Sequence, residues 1–193
     1  MQQFDLLIKG GTAVIPQVGT VKCDIGIREG KITTLSNDIP ASEATRTLEV
    51  YGKVIFPGAV DSHFHIGINR PVQDDAASES RAAVTGGVTT ILSYFRTGSN
   101  YLNKSGSYSE ILPELLNMSQ GSFITDYSYH LAIMTRQQLK EMDVLVQEFG
   151  VATFKYFMFY KMLNLAGSSL KGTQYLLIDE PYDLGFLHTL MSR

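Results

Sequence analysis

What the sequence has little of excludes several classes of protein. It contains one cysteine, Cys23, so it cannot form an internal disulfide, and a reducing compartment is expected. It has no run of lysine or arginine and a formal net charge of −3, which argues against binding to nucleic acid or to a membrane surface. No apolar run approaches the ~18 residues of a membrane span, and the start, MQQFDLLIKGG, lacks the pattern of a signal peptide. A cytoplasmic protein is expected.

The chain divides into two parts with different patterns of apolar residues. Residues 1–57 alternate apolar and polar residues in short segments separated by glycine-containing turns, which predicts a small β-sandwich. Within this part, DIGIREGKITTL has the form of a β-hairpin that turns at Glu29 and Gly30. The first part is therefore predicted to be rich in strands.

Residues 58–193 alternate predicted strands with predicted helices. The strands lie in GAVDSHFHI, VTTILSYF, ITDYSYHLAIM and VATFKYFMFY, and Thr135 is in position to cap a helix over RQQLKEMDVLVQEFG. This order predicts parallel strands joined by right-handed crossovers. An α/β barrel and an open doubly wound sheet both fit, although no glycine-rich phosphate loop follows a strand to support a nucleotide-binding sheet.

Two histidines lie in the first of these strands, in the stretch FPGAVDSHFHIG. Because residues two apart on a strand point to the same face, His63 and His65 are expected side by side, with Asp61 on that face. Two neutral imidazoles can bind Zn²⁺ or a similar ion, and a nearby carboxylate can orient a ligand or bind directly. A structural, hydrogen-bonded role is the alternative for a single histidine, but the D-x-H-x-H pattern favours a metal site.

The second candidate is a lysine in an aromatic segment, GVATFKYFMFYKM. Aromatic neighbours penalise an ammonium ion, so the pKa of Lys155 is expected to fall, which leaves a nucleophilic amine. Such an amine can capture carbon dioxide as a carbamate, whose two oxygens can bridge two cations. The alternative is a lysine whose stem packs on apolar surface while its head reaches water.

Together, DLLIKGGTAV, DIGIREGKITTL and GKVIFPGAVDSHFHI resemble the N-terminal part of the amidohydrolase superfamily. The resemblance, which runs from Asp5 to about Tyr160, is to the branch of hydantoinases, dihydropyrimidinases, dihydroorotases and allantoinases. It implies an α/β fold in which residues 1–57 are the N-terminal part of a composite β-sandwich. Residues 58–193 would be the first half of a metal-dependent (β/α)8 (TIM) barrel.

The same resemblance implies roles for individual residues. In hydantoinases and dihydropyrimidinases an FK-x-F-M-x-Y segment carries a carboxylated lysine, and FKYFMFY matches it. The resemblance implies that N6-carboxylated Lys155 bridges two divalent ions, expected to be Zn²⁺, and that His63 and His65 bind on one side. Tyr160 would donate a hydrogen bond to the oxyanion that forms when an amide carbonyl is attacked.

The implied activity is metal-dependent hydrolysis of a C–N bond in a small cyclic amide or imide, by a protein that usually forms a homotetramer. About four of the eight βα units of a barrel are visible. The family's two later metal histidines and its late aspartate have no counterpart in the sequence. The 193-residue chain alone is therefore expected to be inactive.

Other polar residues leave alternatives. Arg70 could pair with a substrate carboxylate or lie in an exposed loop. Gly67 stands where dihydroorotases carry a carboxylate-binding arginine, which weakens the resemblance to a dihydroorotase, and the match around Tyr160 favours a hydantoinase or dihydropyrimidinase. A dihydroorotase or allantoinase is the alternative within the branch. Ser93 stands where hydantoinases tend to have aspartate. His130 is predicted to be structural, and His188 to lie on a helix. The remaining alternative is a non-catalytic relative of dihydropyrimidinase that acts in assembly, against which the retained histidines and lysine argue.

Overall fold

Five strands form one mixed sheet in the first unit, residues 1–57. The structure is a computed structural model that describes residues 2–98, 101–156 and 180–192. The strands are β1 (Phe4–Ile15), β2 (Gly19–Arg28), β3 (Lys31–Ser36), β4 (Ala44–Glu49) and β5 (Val54–Ile55). Their order is β3-β2-β1-β4, with β5 also paired to β1. The β-rich first part is thus confirmed, and within residues 2–57 it forms one sheet layer.

The turn between β2 and β3 confirms the predicted hairpin. Arg28 pairs with Lys31, so the loop consists of Glu29 and Gly30 alone. Both residues have a positive φ, 51° and 72° respectively. Positive φ at both central positions is the pattern of a type I′ turn, whose twist matches that of the flanking strands.

A buried carboxylate in the middle of β2 ties this strand to β1 and to the segment after β3. The side chain of Asp24, on β2, accepts hydrogen bonds from the backbone N–H of Gly10 at 2.8 Å and of Ile39 at 2.9 Å. It also pairs with the ammonium of Lys9 at 3.0 Å. Burial acts to raise the pKa of the Asp24 carboxyl, but the two backbone donors and Lys9 outweigh it and hold that pKa below its usual value.

The second unit, residues 58–193, alternates strands and helices as predicted. Its strands are β6 (Ala59–His65), β7 (Val88–Phe95), β8 (Asp126–Ala132) and β9 (Phe154–Lys155). Its helices are α1 (Val72–Thr85), α2 (Tyr108–Ser119), α3 (Arg136–Lys140), α4 (Met142–Phe149) and α5 (Glu180–Met191).

The sheet of the second unit decides between the two predicted topologies. All its pairings are parallel, and the strands lie in chain order, β6-β7-β8-β9. A doubly wound sheet reverses its strand order at a switch point, whereas successive right-handed crossovers to the next neighbour place every helix on the same face. Strands in chain order are therefore those of an α/β barrel.

One predicted helix is interrupted. The segment RQQLKEMDVLVQEF forms α3 and α4 with a break at Glu141. The predicted cap is present, because the Thr135 hydroxyl accepts a hydrogen bond from the N–H of Gln138 at 3.2 Å. The break coincides with a long-range contact in which the Glu141 carboxylate accepts from the N–H of Ser109 at 3.1 Å, in the first turn of α2. A partner distant in sequence thus satisfies a donor that a helix start leaves open.

A buried glutamine joins the loops at the carboxyl ends of the strands. The Gln138 side chain is fully buried. Its oxygen accepts from the N–H of Met134 at 2.9 Å, and its amide nitrogen donates to the Thr97 hydroxyl and to the Gly106 carbonyl, both at 3.0 Å. Gln138 therefore ties both ends of the segment between β7 and α2 to the start of α3.

The core of the second unit lies between the sheet and its helices. Most of its fully buried large side chains are supplied by β7, α2, β8 and α4, among them Phe95, Leu112, Leu115, Leu131 and Leu145. The hydroxyl of Tyr108, also fully buried, donates to the carbonyl of Ala132. Within the described ranges no helix is both long and apolar enough to cross a lipid bilayer.

Candidate metal centre

The structure brings together three of the residues that the sequence singles out. The Nε2 atoms of His63 and His65 are 3.0 Å apart. The amine of Lys155, from β9, lies 3.1 Å from Nε2 of His63. The first and fourth strands of the sheet thus direct two imidazoles and one amine to a common point.

A β-bulge shapes the strand that carries the histidines. Between Asp61 and Phe64 the register shifts: Asp61 pairs with Ile91 of β7, whereas His65 pairs with Tyr94. Ile91 and Tyr94 are three residues apart and so point to opposite faces of β7. The simple alternation that predicts Asp61 on the face of the histidines is therefore interrupted, as bulges do near functional sites.

Asp61 acts on the pair through the backbone. Its carboxylate accepts a hydrogen bond from the backbone N–H of His63 at 3.0 Å. The negative charge also favours the imidazolium form of His63, although burial and the charge of Lys155 outweigh it. Among the described residues, Asp61 therefore contacts the backbone of His63, not its imidazole ring.

Two residues that the sequence analysis does not place near the pair lie beside it, and His130 stays predicted as structural. Tyr94 is buried, and its ring centroid lies 4.9 Å from that of His65 and 5.3 Å from the Lys155 amine. The ring of His130 lies 6.2 Å from that of His63, and its Nδ1 is 2.8 Å from the hydroxyl of Thr153. Register is the signal that could have found them, since His65, Tyr94 and His130 are partners on adjacent strands.

The pKa values of His63, His65 and Lys155 are all shifted toward their neutral forms. Burial lowers the pKa of the Lys155 amine. Burial also lowers the pKa of His63, with a further contribution from the charge of Lys155, and the pKa of His65, with contributions from His63 and Lys155. Neutral imidazole is the form that binds a metal, and neutral amine is the form that reacts with carbon dioxide.

The donor set fits part of a metal site. Two imidazole nitrogens that share a tetrahedral Zn²⁺ at about 2.1 Å are about 3.4 Å apart, and the Nε2 atoms of His63 and His65 are 3.0 Å apart. In the part of the chain that the structure describes, no group of three His, Cys, Asp or Glu side chains could hold a metal ion. Within these residues the candidate ligands are therefore the two imidazoles and the Lys155 amine beside them.

Of the remaining predicted residues, Arg70 and His188 are described by the structure. Arg70 contacts α1: its guanidinium pairs with Asp75 at 3.3 Å and donates to the Ser78 hydroxyl at 2.9 Å, so this arginine is held to the helix. Tyr160 lies outside the described residues. His188 is exposed on α5, as predicted.

The chain is similar in sequence to curated proteins that are named as hydantoinases and dihydropyrimidinases. It is 32% identical over 167 residues to a D-hydantoinase of Ralstonia pickettii, an alignment that covers 84% of this chain and 35% of the relative. It is also 32% identical over 167 residues to a dihydropyrimidinase of Dictyostelium discoideum, covering 83% and 32%. The chain thus spans about a third of the length of these relatives. No protein-family model matches it.

Solved structures give the same result. A D-hydantoinase structure superposes with a TM-score of 0.68 at 28% identity, covering 86% of this chain and 35% of that one. An L-hydantoinase from Arthrobacter aurescens gives 0.70 over 97% of this chain and 37% of that one, and at 24% identity it supports the fold alone. The prediction of a β-rich part followed by the first half of an α/β barrel is confirmed. The chain therefore belongs to the hydantoinase and dihydropyrimidinase branch of the cyclic amidohydrolases and corresponds to the N-terminal portion of its members.

Proposed function

We propose that this chain carries one side of a two-metal centre that hydrolyses the C–N bond of a small cyclic amide or imide. His63 and His65 would hold one divalent ion, expected to be Zn²⁺. Lys155, carboxylated on its amine, would supply the two oxygens that bridge this ion to a second one. The proposal covers the whole protein, of which the present chain provides these three residues.

The observation that carries the proposal is the approach of the Lys155 amine to within 3.1 Å of His63 Nε2. These residues are 92 positions apart, so the contact depends on the whole run of strands from β6 to β9. A lysine beside two histidines would be repulsive if all three were protonated. The pKa values of all three are instead lowered, with burial as the largest cause, which reduces that repulsion by shifting each group toward its neutral form.

Each residue would have a separate role. When bound, the ions would act as Lewis acids and would lower the pKa of water far enough to give a nucleophile near neutral pH. The two imidazoles would fix the position of one ion against the sheet, and Tyr94 would exclude water from the base of the site. Tyr160 would donate a hydrogen bond to the oxyanion of the attacked carbonyl, a contact that strengthens as charge develops.

The experiment is a comparison of Zn²⁺ content and affinity among purified variants of this chain. His63→Gln and His65→Gln are each expected to weaken Zn²⁺ binding by about 100-fold or more, because each removes a direct ligand, whereas partners one shell further out cost 10–100-fold. His188→Gln is the matched control, since this histidine is exposed on α5. Equal affinity in all three variants, or no Zn²⁺ binding by the wild-type chain, would contradict the proposal.

The carbamate is tested separately by carbon-13 NMR of protein incubated with ¹³C-bicarbonate and Zn²⁺. A carbamate signal is expected in the wild-type chain and in Lys140→Ala, which removes an exposed lysine at the end of α3. It should be absent from Lys155→Ala. A signal that survives in Lys155→Ala, or that never appears in the wild type, would remove Lys155 as the bridging ligand.

A further inference from the structure

The segment that follows β7 brings a tyrosine to the histidine pair. The hydroxyl of Tyr101 lies 3.0 Å from Nδ1 of His65. Nδ1 is the ring nitrogen opposite the one that faces His63, since the Nε2 atoms of the two histidines are 3.0 Å apart. Tyr101 thus holds the His65 imidazole from the side away from the proposed metal.

Among the residues that the structure describes, Tyr94, Phe95 and Arg96 contact the ring of Tyr101. It packs edge-on against Tyr94, with centroids 5.7 Å apart and planes at 78°, and against Phe95, at 5.5 Å and 71°. The guanidinium of Arg96 lies 5.3 Å from the ring centroid, a cation–π contact. A ring held by these contacts presents its hydroxyl in a defined position.

The backbone at this position indicates that the arrangement is imposed by its surroundings. Tyr101 has a φ of 55°, in the left-handed region that bulky residues rarely adopt. Such conformations persist where the surrounding structure determines them, and they cluster at functional sites. Here the segment is fixed at both ends, because the Gln138 amide bonds to Thr97 before it and to Gly106 after it.

The chemistry of the contact suits a metal ligand. A histidine that binds a metal through Nε2 carries its proton on Nδ1 and donates it to a partner, which fixes the tautomer and the ring orientation. A tyrosine hydroxyl can accept that hydrogen bond, and in the absence of metal it can donate to Nδ1 instead. Phenylalanine can do neither.

We infer that Tyr101 is a positioning residue for His65, one that orients the imidazole so that Nε2 faces His63 and Lys155. This inference rests on the proposed function, in which His65 binds a metal. The segment between β7 and α2 would thus help to build the site, because its Tyr101 contacts the metal-binding histidine His65. Tyr101 itself acts through His65.

The test compares Tyr101→Phe with a matched control. Tyr101→Phe keeps the ring contacts and removes the hydroxyl. Tyr127→Phe makes the same change on β8, where the ring stacks on Phe123 with centroids 4.1 Å apart. Zn²⁺ affinity is measured by competition with a chromophoric chelator, and the tautomer of His65 by long-range ¹H–¹⁵N NMR of ¹⁵N-histidine protein, assigned with His65→Gln.

We expect Tyr101→Phe to weaken Zn²⁺ binding about 10- to 100-fold and to change the tautomer distribution of His65 in metal-free protein, with both properties unchanged in Tyr127→Phe. Unchanged affinity and tautomer in Tyr101→Phe would overturn the inference and leave the metal site standing. An equal loss in both variants would assign the effect to packing and would also overturn it. If the wild-type chain binds no Zn²⁺, the proposed function fails. If the tautomer of His65 is then also the same in Tyr101→Phe as in the wild type, the positioning role of Tyr101 fails as well.

Discussion

Replacing Gln138 by leucine is expected to destabilise the second unit strongly. The side chain is fully buried, and the two residues are of similar size, so the change removes hydrogen bonds with little change in volume. It leaves three groups without their partner, the N–H of Met134, the hydroxyl of Thr97 and the carbonyl of Gly106. The first two of these contacts are buried, so water cannot readily replace the glutamine.

The magnitude follows from counting the groups that lose a partner. A buried polar group without one costs about 1–3 kcal/mol. The Thr97 hydroxyl can rotate, and the added apolar surface of leucine returns about 1–2 kcal/mol. The two backbone groups together cost about 2–6 kcal/mol, so the free energy of unfolding should fall by about 1–4 kcal/mol.

The control is the adjacent residue, because Gln137 lies on the same helix and is exposed. Gln137→Leu should change the free energy of unfolding by less than about 0.5 kcal/mol. Urea unfolding followed by near-ultraviolet circular dichroism reports on the second unit, because the chain has no tryptophan and nine of its ten tyrosines follow residue 57. Equal effects of the two substitutions would refute the assignment of the loss to the buried hydrogen bonds.

Two further predictions concern the first unit. Asp24→Asn should lower the free energy of unfolding by about 3 kcal/mol at pH 7, whereas Asp38→Asn, which removes the 84% exposed partner of Lys9, should cost less than about 1 kcal/mol. Because the pKa of Asp24 is lowered in the folded state, the stabilisation by its carboxylate is present above about pH 4 and is lost as the pH falls through the native pKa. Urea titrations from pH 7 to 2 test this. A difference in the free energy of unfolding between wild type and Asp24→Asn that stays constant over this range would contradict the assignment. Glu29→Asn should raise the stability by about 0.5–1 kcal/mol and the melting temperature with it, since asparagine tolerates the positive φ found before Gly30; a lower melting temperature would count against the type I′ assignment.

Local signals in the sequence were enough for much of the fold. The hairpin at Glu29 and Gly30 needs only two flanking strands and a turn that accepts positive φ. Thr135 caps its helix through an N–H three residues further along. Each of these features depends on neighbours a few positions away, and both are present in the structure.

Apart from the approach of Lys155 to the histidine pair, which the resemblance implies, contacts between residues distant in sequence were not predicted. The break at Glu141 accompanies a contact with Ser109, which lies 32 positions earlier in the chain. Tyr101 reaches His65 across 36 positions, on a segment whose composition of glycine, serine and asparagine predicts no particular path. No periodicity encodes such contacts, because they arise only when the strands are already paired.

The candidate site depends both on local sequence pattern and on the pairing of distant strands. Alternation along a strand predicts that His63 and His65 share a face, and their Nε2 atoms meet at 3.0 Å. The same alternation predicts Asp61 beside them, and there the bulge breaks it by inserting one extra residue between Asp61 and Phe64 relative to β7. A shift of one residue exchanges the faces of a strand, so the bulge determines which side chains can join the pair. The chemistry of this end of the sheet is therefore set by register as much as by residue type. For that reason Tyr94 and His130, which carry no motif of their own, come to lie beside the pair only once β6, β7 and β8 are aligned.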